Sequence, residues 1–249
     1  ITPVSMDHEQ FLGSDIRAIA AEKAGIIKQS VNGMPVIISQ QDEDALEVIM
    51  ARATEYNLPL MCYGQDWGAY TEHGRLVIQH PDGLMDLPMP GLVGAHQIVN
   101  AATAVMAAYH LDIAEHSICE GLKKPVWPAR LQKLTTGKLM DMATGEVWLD
   151  GGHNQAAAEA LSVWLSDYFS SADKPVTLIC GLMATKHAEK WLKSFSQSRV
   201  VLNCITIPDQ PNSYTAHDLT AKAQATGLKA VAFNDLETAI SAAKGDVLI

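Results

Sequence analysis

The part of the chain after residue 128 alternates between short apolar runs and helical segments, and this alternation constrains the fold more than any other feature. Aliphatic and β-branched runs predict strands at residues 131–134, 147–149, 176–180, 200–207, 230–233 and 247–249. Apolar residues spaced three and four apart predict helices at residues 155–169, 188–195, 216–226 and 236–243. Strands that alternate with helices through short loops form mostly parallel sheets, so the sequence predicts an α/β fold.

The part before residue 128 is less regular. Helices are predicted at residues 14–26, 42–56, 95–109 and 115–122, and strands at residues 35–39, 60–63 and on both sides of His73-Gly74. Ser14 is a suitable N-cap for the first helix. The segment 123–128 carries two prolines within four residues, which disfavour helix and impose extended backbone. We therefore predict two domains, residues 1–127 and 128–249.

The composition excludes several classes of protein. With 48% hydrophobic and 18% charged residues, the chain is typical of a globular protein with a well-filled core. No apolar run reaches the ~18 residues that a membrane span requires, and the first ten residues lack the pattern of a signal peptide. A net charge of −10 without a basic stripe argues against nucleic acid and anionic membranes as partners.

The four cysteines Cys62, Cys119, Cys180 and Cys204 are far apart and form no CxxC pair. This spacing predicts free thiols in a reducing compartment, which favours the cytoplasm. We separately expect a monomer that acts on small molecules. The chain begins without Met and ends on the apolar run 246–249. Domains rarely end on such a run, which suggests a piece of a longer protein.

The segment from Asp7 to Ile27 combines a polar loop with an amphipathic helix. One helix face would carry Ile16, Ile19, Ala20, Lys23 and Ile27. A buried ammonium is costly, so Lys23 on this face needs a partner or a chemical modification. The alternative is that Lys23 lies at the edge of the stripe and extends to water, and that His8 is structural.

Five further positions are candidates for binding. Asn100 lies in an alanine-rich helix, where Asn is a poor helix former and its amide can both donate and accept, although it can equally be exposed or self-capping. Arg130 can offer a bidentate fork to phosphate or be an ordinary surface arginine. Asp150 and His153 border a two-glycine turn between a strand and a helix, where backbone amides favour anions, but most such turns are only turns. Lys186 follows a buried strand, with a plain solvated lysine as the alternative.

Together these segments resemble the folylpolyglutamate synthase/dihydrofolate synthase family of the Mur ligase superfamily. The similarity lies in Asp7-His8, Leu12-Gly13, the run 19–26 (IAAEKAGI), the run 94–103 (GAHQIVNAAT) and the run 149–154 (LDGGHN). Four positions depart from the family pattern. Ala129 replaces the glycine of Pro-Gly-Arg, Gly152 replaces an alanine, Gln155 replaces a proline, and His187 replaces the aspartate that follows Lys186.

The resemblance implies the remainder of a P-loop-type central ATPase domain over residues 1–127, followed by a Rossmann-like C-terminal ligase domain. It implies that His8 binds Mg²⁺, that Lys23 is N-carboxylated, and that ATP contacts Asn100, Arg130, Asp150 and His153. Lys186 would bind the carboxylate of the incoming glutamate. The implied reaction joins L-glutamate to dihydropteroate or folate through an acyl phosphate made with ATP.

The chain contains no GxxGKS or GKT sequence, which is the phosphate-binding P-loop of this superfamily. We therefore expect the 249 residues to be a C-terminal portion that binds ATP poorly and has no ligase activity alone. Two alternatives remain at this point: a Mur-type ligase for cell-wall peptides, and a non-catalytic binding module. The run 22–26 (EKAGI) favours the folate branch.

Overall fold

A computed structural model describes residues 1–6, 13, 15–29, 33–171 and 175–249, with the backbone alone for residues 169–171. These residues form two compact units, Ile1–Val126 and Trp127–Ile249. The division falls inside the proline-containing segment. Within the described residues, no helix combines the length and the apolar character needed to cross a membrane.

Within its described residues, the first unit contains four helices and two small sheets. The helices are α1 (Ile16–Ala24), α2 (Glu43–Glu55), α3 (Ala95–His110) and α4 (Glu115–Lys123). The strands are β1 (Val36–Ile38), β2 (Leu60–Cys62), β3 (Gly68–Glu72), β4 (Arg75–His80) and β5 (Gly83–Pro88). β1 and β2 pair in parallel, whereas β3, β4 and β5 form an antiparallel meander. The predicted strands around His73-Gly74 are confirmed, and β5 adds a third strand to them.

Two apolar clusters hold this unit together. Ile19 of α1, Ile38 of β1 and Ile49 of α2 are fully buried in one cluster. In the other, Leu76 of β4 packs with Met106 of α3. The alanines of α3 face this second cluster, and their small side chains let neighbouring elements approach closely.

The structure adds two details to helix α1. The N-cap is Asp15, whose carboxylate accepts a hydrogen bond from the Arg17 amide at 2.9 Å, while Ser14 lies outside the described residues. Of the two interpretations of Lys23, the one in which the side chain extends to water is correct, because Lys23 is exposed while Ala24 beside it is buried. Lys23 occupies the last turn of the helix, and the end of the helix lets the long side chain extend to water.

The second unit is a six-stranded sheet with helices on both faces. Its strands are β6 (Gln132–Lys133), β7 (Val147–Leu149), β8 (Val176–Cys180), β9 (Val201–Cys204), β10 (Lys229–Ala232) and β11 (Asp246–Leu248). Its helices are α5 (Lys138–Met142), α6 (Gln155–Ser171), α7 (Ala188–Lys193), α8 (Ala216–Ala225) and α9 (Leu236–Ser241). The strand order is β10-β9-β8-β11-β7-β6, and all pairs are parallel except β6 with β7. The predicted α/β class is confirmed.

The order of the strands determines where a ligand can bind. β8, β9 and β10 follow one another outward, but the last strand, β11, returns to lie between β7 and β8. Helices α6, α7 and α8 contribute to the core on one face of the sheet, and α5 and α9 to the core on the other. The change of direction between β7 and β8 is a topological switch point, where open α/β sheets leave a crevice beyond the carboxyl ends of the strands.

A buried carboxylate fastens the opposite, amino end of the same strands. Asp246 of β11 is 1% exposed, and its carboxylate accepts hydrogen bonds from the Glu146 amide at 2.7 Å and from the Tyr168 hydroxyl at 2.8 Å. Burial and the neighbouring Asp246 carboxylate raise the pKa of Tyr168, so the hydroxyl remains a donor. This cluster joins β11, the turn before β7 and α6 at the end of the sheet away from the crevice.

We expect Tyr168→Phe to lower the free energy of unfolding of the chain by about 1–3 kcal/mol, because it leaves a buried carboxylate oxygen without its donor. Denaturant titration followed by tryptophan fluorescence checks this, since Trp148 and Trp164 both lie against Tyr168. Tyr70→Phe is the matched control, because Tyr70 is 46% exposed and its hydroxyl makes no hydrogen bond within the described residues. Equal stability of the two variants would contradict the proposed role of the hydroxyl.

Candidate functional site

A pocket of about 330 Å³ lies in the second unit, at the carboxyl ends of the strands that flank the switch point. Its walls are mainly apolar and include Leu161, Leu178 and Leu248. Its rim is the turn 150–153, which joins β7 to α6. The structure therefore brings the predicted residues Asp150 and His153 together at the mouth of one pocket.

Asp150 uses both oxygens of its carboxylate to hold the backbone around it. Oδ1 accepts a hydrogen bond from the Gly152 amide at 2.7 Å, and Oδ2 accepts one from the Leu131 amide at 2.8 Å. The Asp150 amide itself donates to the carbonyl of Ile249 at 2.8 Å. Asp150 therefore joins three segments of chain, and its predicted contact with a nucleotide would use the lone pairs that remain.

The turn after Asp150 is closely packed. The Trp191 indole donates to the carbonyl of Gly152 at 3.0 Å. A Cβ atom at Gly152 would lie 2.7 Å from Asp150 Oδ1 and 2.9 Å from the Cβ of Ala157. These distances explain why glycine, rather than the alanine of the family pattern, fits at this position.

His153 and Asn154 form the start of α6. The Asn154 side chain caps the helix by accepting from the Ala157 amide at 2.9 Å. His153 is exposed, and its Nδ1 lies 3.0 Å from the carbonyl oxygen of Gly151. A carbonyl only accepts, so this contact places a proton on Nδ1 of the imidazole.

Arg130 lies in a loop whose backbone is unusual. Ala129 and Leu131, on either side of it, have φ angles of 55° and 43°, in the left-handed region that favours glycine. The Gly151 amide donates to the carbonyl of Ala129 at 2.9 Å, and the Leu131 side chain is only 2% exposed. These contacts fix the loop while Arg130 itself remains exposed. Backbone strain of this kind concentrates at binding sites.

Lys186 lies on the loop between β8 and α7. The Tyr214 hydroxyl donates to the carbonyl of Lys186 at 3.3 Å, and the Ala184 amide donates to the carbonyl of Asn212 at 2.7 Å. The loop is therefore folded against residues 212–214. Lys186 is half-buried but is not among the described residues that line the pocket.

Asn100, in the first unit, borders a second pocket of about 420 Å³ between α3 and α4. Its side-chain amide donates to Gln97 Oε1 at 3.3 Å, and Gln97 also contacts the His96 ring at 3.0 Å. The sequence predicted neither this pocket nor the hydrogen bond that Gln97 accepts from Asn100 at its edge. The signal was the small residues Ala101, Ala104 and Ala108, which repeat at helical spacing along the same side of α3.

The predicted metal site is not assembled by the described residues. His8 lies outside them, and Lys23 is exposed on α1. Among the residues that the structure describes, no three His, Cys, Asp or Glu side chains are grouped so that they could hold a metal ion. The described part of the chain thus does not fit a complete Mg²⁺ site, and no chemical step is derived through one.

We expect Ala129→Gly to raise the free energy of unfolding by up to ~1 kcal/mol. Glycine removes a left-handed penalty of about 1–2 kcal/mol but adds about 0.5–1 kcal/mol of chain entropy. Ala143→Gly is the control, because Ala143 has an ordinary φ of −83° and should only lose stability. Denaturant titration compares the two, and equal destabilisation by both substitutions would contradict strain at Ala129.

No family model matches the chain. It is 29% identical over 225 residues to the folylpolyglutamate synthase of Lacticaseibacillus casei, which covers 86% of this chain and 49% of that protein. The structure of Escherichia coli FolC in complex with DHPP and ADP is 25% identical with a TM-score of 0.81, over 99% of this chain and 56% of that one. The fold also matches a bifunctional folylpolyglutamate synthase/dihydrofolate synthase with Mn, AMPPNP and L-glutamate bound, at 22% identity and a TM-score of 0.77, over 99% of this chain and 57% of that one.

The chain thus spans about half the length of the relatives that it matches. The match in sequence extends over most of the chain, and the match in fold extends over nearly all of it. Of the motifs that suggested the family, the run 94–103 borders the pocket between α3 and α4, and the run 149–154 borders the pocket of the second unit. The relatives and the solved structure that this chain is similar to are folylpolyglutamate synthases and dihydrofolate synthases.

Proposed function

We propose that this chain is part of an ATP-dependent ligase that joins L-glutamate to dihydropteroate or folate. The observation that carries the proposal is the turn 150–154 at the switch point, to which Asp150 fastens the Arg130 loop. The proposal also draws on the relatives, one of which binds ADP and another AMPPNP, Mn and L-glutamate. The curated relatives are folylpolyglutamate and dihydrofolate synthases, which favours a folate ligase over a ligase for cell-wall peptides.

In the proposed reaction, a carboxylate of the pterin substrate takes the γ-phosphoryl group of ATP to give an acyl phosphate. The amino group of glutamate then attacks the acyl carbon, and phosphate leaves. Unit Ile1–Val126 would be the remainder of the ATPase domain, and unit Trp127–Ile249 the Rossmann-like ligase domain. Mg²⁺ is proposed as cofactor because a relative binds Mn, and no residue geometry is assigned to it.

Each residue at the pocket of the second unit has a distinct proposed role. Arg130 offers two parallel N–H donors to a phosphate group, and the rigid loop around it lowers the entropy lost on binding. His153, with a proton on Nδ1, is held at the start of α6, where the helix dipole also favours an anion. Asp150 orients both groups through the backbone and contacts the nucleotide with its remaining lone pairs.

Three further roles are proposed outside that pocket. The Asn100 amide, half-buried beside an apolar pocket, suits the donor and acceptor atoms of adenine. Lys186 would bind a carboxylate of glutamate by charge. Lys23 would be N-carboxylated, with its exposed amine open to carbon dioxide, although the burial that would have favoured the free amine is absent. His8 would bind Mg²⁺.

The first test compares two proteins: the 249-residue chain and the whole product of the gene that encodes it. We expect glutamate-dependent ATP hydrolysis with dihydropteroate or folate only from a protein that includes a P-loop. Inorganic phosphate release measures this, with a muramyl peptide precursor as the competing substrate. Ligation of the muramyl substrate alone, or glutamate-dependent hydrolysis by the 249 residues, would contradict the proposal.

The second test uses Arg130→Gln in the active protein. Loss of a charged, bidentate contact worth about 1.5–3 kcal/mol should lower kcat/KM for ATP by roughly 10-fold to 100-fold. Arg199→Gln is the matched control, because Arg199 is an exposed arginine of the same unit that precedes β9, at the amino end of the sheet. Steady-state kinetics at saturating glutamate check this, and equal effects of the two substitutions would remove Arg130 from the site.

A further inference from the structure

Two of the four cysteines are neighbours in the fold. Cys180 is the last residue of β8 and Cys204 the last residue of β9, and the two are register partners in a parallel strand pair. Neighbouring strands lie about 4.8 Å apart, which is within the ~4.4–6.8 Å between Cα atoms that a disulfide requires. Both side chains belong to the same apolar cluster, so they point to the same face of the sheet.

The two thiols have different access to solvent. Cys180 lines the pocket at the carboxyl ends of the strands, whereas Cys204 is fully buried behind it. The Cys180 thiol donates a hydrogen bond to the Cys204 sulfur, which lowers the pKa of Cys204 and raises the pKa of Cys180. The remaining cysteines, Cys62 and Cys119, lie in the first unit.

We propose that Cys180 and Cys204 form a dithiol modification site that closes to a disulfide when a peroxide enters the pocket. When the Cys180 proton moves along the hydrogen bond to the Cys204 sulfur, Cys180 becomes the thiolate and attacks hydrogen peroxide. An S–O bond forms, the O–O bond breaks, and the departing hydroxide takes the proton from Cys204 and leaves as water. The Cys204 thiolate then attacks the Cys180 sulfenic acid, so that the S–S bond forms, the S–O bond breaks and a second water leaves. The two thiols lose two electrons, and the peroxide is reduced to two waters.

The position of the pair at the ends of two strands makes this closure feasible. Only the final residues must approach, and no strand continues beyond either cysteine. Gly181, the next residue, is tightly packed, because a Cβ atom there would lie 2.8 Å from Ile207. A cross-link that draws Cys180 toward β9 would therefore move the loop that carries Lys186. The proposed ligase chemistry uses neither cysteine, so the proposal of a disulfide site is independent of the proposed function.

The test treats the folded 249-residue chain with hydrogen peroxide, blocks the remaining thiols by alkylation in denaturant, and maps the peptides by mass spectrometry. We expect a peptide pair joined through Cys180 and Cys204, with the loss of two hydrogens and reversal by dithiothreitol. Cys62 and Cys119 should not form a cross-link and should be found in the alkylated form. Cys180→Ser and Cys204→Ser should each abolish the cross-linked pair.

Cys62→Ser is the matched control, because Cys62 is 2% exposed and buried like Cys204, but has no cysteine as a register partner. It should leave the yield of the cross-link unchanged. Circular dichroism shows whether each serine variant folds, and the peptide map of the unsubstituted chain decides the question if one does not. Alkylation of both Cys180 and Cys204, or sulfinic acid on either without a cross-link, would overturn the proposal.

Discussion

The candidate site depends on one carboxylate that binds two backbone amides. Asp150 accepts from Gly152 and from Leu131 at 2.7 and 2.8 Å, so the turn after β7 and the loop before β6 share one anchor. Hydrogen bonds to a charged acceptor are stronger than neutral ones, and each of these replaces water at a partly buried site. Together with the hydrogen bond from the Gly151 amide to the Ala129 carbonyl, this anchor holds the left-handed backbone on either side of Arg130 in place.

The sheet explains why these groups meet where they do. β11 inserts between β7 and β8, and the resulting reversal leaves a crevice whose rim is the segment after β7. At the other end of the same strands, the Asp246 carboxylate accepts hydrogen bonds from the Glu146 amide and the Tyr168 hydroxyl. One end of the sheet is therefore closed by a satisfied polar cluster, while the other remains open to a ligand.

Much of the fold could be predicted because the signals are local. Strands β7 to β11 and helices α3 and α6 carry their periodicity within their own residues. Short α5 was missed because five residues, Lys138–Met142, are too few to show a period. The sequence left the exposure of Lys23 open as one of two alternatives, because periodicity places a residue on a face but does not say how the end of a helix directs a long side chain.

The details of the site could not be predicted, because contacts between distant residues determine them. Nothing in the local sequence gives Ala129 a φ of 55°, since that angle depends on the Gly151 amide and on the burial of Leu131. Two of the departures from the family pattern, Gly152 and Ala129, can be understood together. Gly152 avoids crowding Asp150 Oδ1, which leaves that carboxylate free to hold Leu131, and the strain that remains falls on Ala129. Alanine tolerates this left-handed angle at a cost of about 1–2 kcal/mol, less than the usual total stability of a domain.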